Sequence, residues 1–150
     1  MIEPFGEWVE RVSITYEAVS YTCRVRLHDA AAGQAVAEHV VAGLIARPGV
    51  FRYWGLPFSG RIARLAEDAI HEVHAGTLAP PPSWPALRSD LEALPTDVQR
   101  MLVWTCIEGW DDEEIAAALT CDERDARAHR EDTLARLRAL VAAGEAGEVR

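Results

Sequence analysis

The chain has 150 residues, 49% hydrophobic and 26% charged, with a formal net charge of −9. That composition is globular and excludes a disordered or fibrous chain, and no run reaches the roughly 18 apolar residues a bilayer span needs. All 15 basic residues are arginines, and the excess of acid excludes attraction of the whole chain to nucleic acid, so any such contact must come from a local basic face. Glu3, Glu7 and Glu10 stand where a secretory leader would be positive, and the expected location is the cytoplasm. Cys23, Cys106 and Cys121 form no CxxC pair and read as small core residues.

In chain order, the first predicted helix runs from Ile14 to Leu27. Asp29 is placed to cap a second, Ala30 to Ala46, in which Val36, Val40, Val41, Leu44 and Ile45 recur on one buried face. Arg47-Pro48-Gly49 ends it. Ser59 is a natural cap for a third helix, with an apolar stripe of Ile62, Leu65, Ala66, Ala69, Ile70 and Val73 that closes at Gly76.

Four prolines between Pro80 and Pro85 then interrupt any helix or central strand, and predict a semi-extended linker over residues 79–88. It divides the chain into a helical domain 1–78 and a second helical domain 89–150. In the second half Ser89 or Asp90 opens a short helix that Leu94-Pro95 interrupts. Thr96 is placed to cap one through Val98, Leu102, Val103, Cys106 and Ile107, which stops at Gly109. Asp111 starts a short helix to Leu119, Thr120-Cys121-Asp122 turns the chain, and Asp122 caps a last helix carrying Ala126, Leu134, Leu137, Leu140 and Val141. The expected fold is all-α, as two small helical domains.

A short helix, a tight turn and a longer helix with an exposed face are the parts of a helix-turn-helix, with Ile115, Ala116 and Leu119 as its packing face. Leu94-Pro95, Gly109, Glu113-Glu114-Ile115-Ala116 and Leu119, in that order and spacing, resemble region 4 of sigma-70 factors, particularly the extracytoplasmic-function group. Asp29-Ala30, Ala37-Glu38 and Arg61-Ile62-Ala63-Arg64 resemble region 2 of the same group. The resemblance implies a region 2-like bundle and a region 4-like helix-turn-helix, with core RNA polymerase and promoter DNA as partners and no cofactor. It implies DNA contacts from Arg61, Arg64, Arg124, Arg127 and Arg130, and polymerase or partner contacts from Glu38, Val40, Val41 and Leu44.

The chain departs from that pattern in three places. Ala42 and Gly43 stand where the group carries a polymerase-docking Gln-Glu, and Thr120 replaces the turn glycine. Five acids (Asp122, Glu123, Asp125, Glu131, Asp132) offset five arginines (Arg124, Arg127, Arg130, Arg136, Arg138) on the last helix. Residues 89–150 hold fifteen acids against seven arginines, or −8, which opposes phosphate binding. A second function therefore stands beside the first, that of a degenerate sigma mimic binding a protein such as an anti-sigma factor or another regulator.

Several residue groups carry two readings each. Arg124, Arg127 and Arg130 suit phosphate or guanine contacts, or a solvated face paired with neighbouring acids. Arg61 and Arg64 suit promoter contact or an exposed rim. Phe51, Tyr53, Trp54 and Phe58 suit stacking on unpaired bases or simple core filling. His71, His74 and Glu67 have metal-like spacing but lack a fourth ligand, and read as a solvated face. No P-loop, nucleophile elbow or nucleotide fingerprint is present, so no enzyme is expected.

Overall fold

The computed structural model describes residues 1–47 and 60–148, with side chains at all of these but 61 and 144–148. Among the described residues every regular element is helical. The order is α1 (Glu3–Leu27), α2 (Ala30–Ala46), α3 (Gly60–Ala75), α4 (Trp84–Glu92), α5 (Thr96–Leu102) running into a π turn (Val103–Ile107), α6 (Asp112–Leu119) and α7 (Glu123–Glu148). The all-α expectation holds. Pro48, Gly49, Phe51, Tyr53, Trp54, Phe58, Ser59 and the side chain of Arg61 lie outside the described residues.

Helix α1 begins well before the expected Ile14. Pro4 sits in its first turn, where a missing N–H costs nothing, and Phe5, Trp8, Val9 and Val12 continue the buried stripe of Val19 and Cys23 back to the N-terminus. His28 ends it in the left-handed region (φ 54°), its N–H returning to Arg24 O. Asp29 then caps α2 as expected, accepting from Ala32 N at 3.1 Å. The two helices meet closely at Gly33, where a Cβ would stand 2.5 Å from the Arg24 nitrogen. A side chain at Gly33 would thus force the helices apart.

Helix α2 is the centre of the molecule. Val36, Ala37, Val40, Val41, Leu44 and Ile45 are buried, and α1, α3, α4 and α7 all pack on it. Helix α3 lays Ile62, Ala69 and Ile70 against this core, with Leu65, Ala66 and Val73 half-buried beside them. A bidentate ion pair joins Arg26 of α1 to Glu67 of α3. Both groups are half exposed, so the pair orients α3 more than it stabilises the fold.

The proline tract differs from the expectation at its second half. It is irregular to Ser83, but α4 starts at Trp84, because Pro85 falls in a first turn that needs no amide donor and has φ already set. Residues 84–88, expected as linker, are therefore helical. They are also anchored to the first half. Trp84 is buried, its backbone N–H donates to Glu38 Oε2 at 2.7 Å, its indole N–H to Ser13 Oγ at 3.4 Å, and its ring lies 6.1 Å from that of Tyr16. Arg88 donates to Ser13 Oγ at 2.9 Å and to Glu10 Oε2 at 3.0 Å. One apolar cluster consequently draws from both sides of the tract, from Phe5 and Val40 to Leu91, Leu102, Leu137 and Val141.

Candidate nucleic-acid interface

Helices α5, α6 and α7 form a module with its own small core of Met101, Ile115, Ala116 and Ala126, packed by Trp104, Trp110 and Cys121. Buried Gln99 seats α5: its Nε2 donates to Leu94 O at 2.8 Å, and its Oε1 accepts from the Ile2 amide at 3.0 Å. The helix then widens by one residue. Glu108 N donates to Val103 O, five residues back, at 2.9 Å, and Trp110 N reaches Trp104 O at 2.8 Å. Gly109 (φ 68°) takes the left-handed turn that this return requires. Trp110 thereby stacks on Trp104, with centroids 5.1 Å apart and planes 12° from parallel.

Asp111 starts α6 with a capping box. Its carboxylate accepts from Glu114 N at 2.8 Å while Glu114 Oε1 accepts from Asp111 N at 3.3 Å. Thr120, at the position where the resembled group has glycine, adopts the left-handed conformation itself (φ 55°), which costs about 1–2 kcal/mol for a residue with a Cβ. Asp122 then caps α7 through Asp125 N at 2.8 Å. The three-residue turn from α6 to α7 is thus closed on the α6 side by backbone bonds from Thr120 N and Cys121 N to Ala116 O, and on the α7 side by the Asp122 side chain.

The expected DNA-contacting arginines fall into different environments. Asp112, in the first turn of α6, pairs with two of them: Oδ2 with Arg127 Nε at 3.0 Å and Oδ1 with Arg130 Nη1 at 2.5 Å. The Asp112 side chain is only 17% exposed, whereas Arg127 is 55% exposed. A carboxylate close to two guanidiniums leaves one net positive charge where the sequence counts two. Arg124, on the first turn of α7, is exposed and makes no hydrogen bond or ion pair with any described residue. Arg64 is exposed on α3.

The expected partner contacts need correction for this packed state. Val40 and Val41 have no exposed surface and Leu44 only 2%, because α2 is covered by its neighbouring helices. A partner cannot touch such side chains. Glu38 is half-buried and accepts from Trp84 N, so it serves the contact between the two halves. His71 and His74 are exposed, Glu67 is engaged by Arg26, and no group of three metal-ligating side chains occurs among the described residues. Burial pushes the Cys106 thiol up to about 12, which keeps it protonated and inert. No helix among the described residues is long and apolar enough to cross a membrane.

Two features carry little signal in the sequence. Asp112 is marked only by its place in an acidic run; the crossing of α6 and α7 alone brings it to Arg127 and Arg130. A groove of about 150 Å³ opens between α5, α6 and α7, lined by Val98, Met101, Trp104, Leu119, His129 and Thr133. Its apolar members come from α5, the π turn and α6, so no single periodic stripe announces it. Compared with protein-family models, curated proteins and solved structures, the chain matches none.

Proposed function

We propose that the protein is a non-catalytic, sigma-factor-like transcription regulator of the cytoplasm that associates with core RNA polymerase and promoter DNA. The observation that carries this reading is the α6–turn–α7 unit. A capped eight-residue helix leads through three residues into a long helix whose first turns are exposed and bear Arg124 without a partner among the described residues. That is the arrangement in which a helix-turn-helix lays its second helix into a major groove. Arg124, Arg127 and Arg130 would face one promoter element, and Arg61 and Arg64 another. Residues 89–150 carry −8 net, so DNA affinity without polymerase is expected to be poor, and tethering by polymerase would supply the missing effective concentration.

A second reading is favoured by Asp112. Its pairing with Arg127 and Arg130 removes cationic character from the face that should meet phosphate, as suits a sigma mimic that binds a protein, such as an anti-sigma factor, with little or no DNA affinity. Promoter binding by the full chain, measured by fluorescence anisotropy with and without core polymerase, separates the two. On the first reading, replacing Arg127 and Arg130 by Ala weakens polymerase-dependent promoter binding and lowers its salt slope by about one for each phosphate no longer neutralised. Absence of promoter binding even with polymerase present would overturn it in favour of the mimic. Replacing Asp122, Glu123 and Asp125 by their amides should then slow association with the protein partner.

A further inference from the structure

Helix α1 has two apolar faces. One, with Phe5, Trp8, Val9, Val12, Val19 and Cys23, is buried in the core. The other is a stripe of Ile14, Ala18, Tyr21 and Val25, in which Ile14 is 49%, Tyr21 63% and Val25 55% exposed and Ala18 is half-buried. At 100° per residue this stripe lies on the side of the helix away from the core. Among the described residues five large apolar side chains are exposed, and three of them lie on this one line. Such clustering marks a contact surface rather than the scattered exposure that any protein shows.

The spacing of the stripe, four, three and four residues, is that of the a and d positions in a coiled-coil seam. From these residues we infer that the outward face of α1 docks a second copy of this chain, with the two α1 helices antiparallel. Two observations select this occupant and this direction. In the antiparallel register Ile14 faces the partner's Val25 and Ala18 faces the partner's Tyr21, so each large ring meets a small residue and every layer is filled. Run in parallel, the same stripe would set Tyr21 against its own copy and leave a gap at Ala18. Charge points the same way. Glu17 and Arg24 flank the seam on one side, and the antiparallel register brings each Glu17 between the same two layers as the partner's Arg24, twice by symmetry. Neither residue belongs to an ion pair among the described residues; the Arg24 guanidinium lies over the Tyr21 ring at 5.4 Å.

The seam is short. Four layers over about 16 Å of helix place the contact below the roughly 1,200 Å² of a standard stable interface, so the dimer is weak and concentration-dependent. It uses none of the residues assigned to DNA or polymerase and stands independently of that proposal. Sedimentation of the full chain from about 1 μM to several hundred μM tests it, the range in which so small an interface should dissociate. Wild type is expected to shift from monomer to dimer, and Tyr21→Asp to stay monomeric with unchanged helix content, since Tyr21 is exposed. Glu17→Arg alone and Arg24→Glu alone should each weaken the dimer several-fold, by setting like charges opposite one another. The double variant restores opposite pairs and should return to within about twofold of wild type. A wild-type chain that stays monomeric throughout, a dimer that survives Tyr21→Asp, or single charge variants that dimerise as wild type would each overturn the inference.

Discussion

Helices α2 and α7 pack against each other, yet they are opposite kinds of helix. Within α2, Glu38 is the only acid and there is no arginine, and eight of its residues are buried. Over its described side chains α7 buries only Ala126, Leu137 and Val141, and shows arginines and acids around the rest of its surface. A helix that is apolar nearly all round has nowhere to go but the centre, whereas a narrow stripe suffices to hold a helix on the outside. The first therefore spends its side chains on cohesion and the second keeps them available for recognition. In the packed chain Val40, Val41 and Leu44 belong to the core for this reason: the apolar character that suggests docking is what buries them.

The sharpest break in this comparison should come at Trp84, which ties the second half onto α2 through Glu38. Trp84→Ala is expected to cost about 3–5 kcal/mol in denaturant unfolding. It should also make residues 80–85, which are expected to resist proteases in the wild-type chain, the first site of limited proteolysis. Rapid cutting there in the wild type would show that Trp84 does not hold the halves together. Next in size, Leu44→Ala in the buried last turn of α2 should cost about 2–5 kcal/mol by the same measurement, since the packed neighbours cannot collapse into the gap. The counterpart on α7 is Arg124→Ala. It should change stability by no more than about 0.5 kcal/mol while weakening polymerase-dependent promoter binding. A loss of stability comparable to that of Leu44→Ala would place Arg124 in the fold instead of at an interface.

Much of the fold is legible in residue patterns because it depends on neighbours in sequence. The helical class, the caps at Asp29, Asp111 and Asp122, the stops at Gly76 and Gly109 and the turn at Thr120 all rest on contacts within four or five residues. Helix α1 is longer than expected because the Phe5, Trp8, Val9 and Val12 stripe extends it past the Thr- and Val-bearing second half. The proline tract suggests a linker because proline does exclude a helix interior. Pro85 escapes that rule by standing in a first turn, and whether a helix starts at Trp84 depends on what covers the indole.

Charge and burial are decided only in three dimensions. Counting arginines along α7 treats Arg124, Arg127 and Arg130 alike. The crossing of α6 divides them, because Asp112 comes within 3.0 Å of two and leaves the third unengaged. The sequence also holds both faces of α1, but periodicity alone cannot say which stripe enters the core when each is apolar. Packing of α2 through Gly33, and of Trp84 against Tyr16, makes that choice and leaves Ile14, Tyr21 and Val25 outside. Local rules fix where a helix begins and ends; which of its faces is spent on the core is settled by the helices that arrive from elsewhere in the chain.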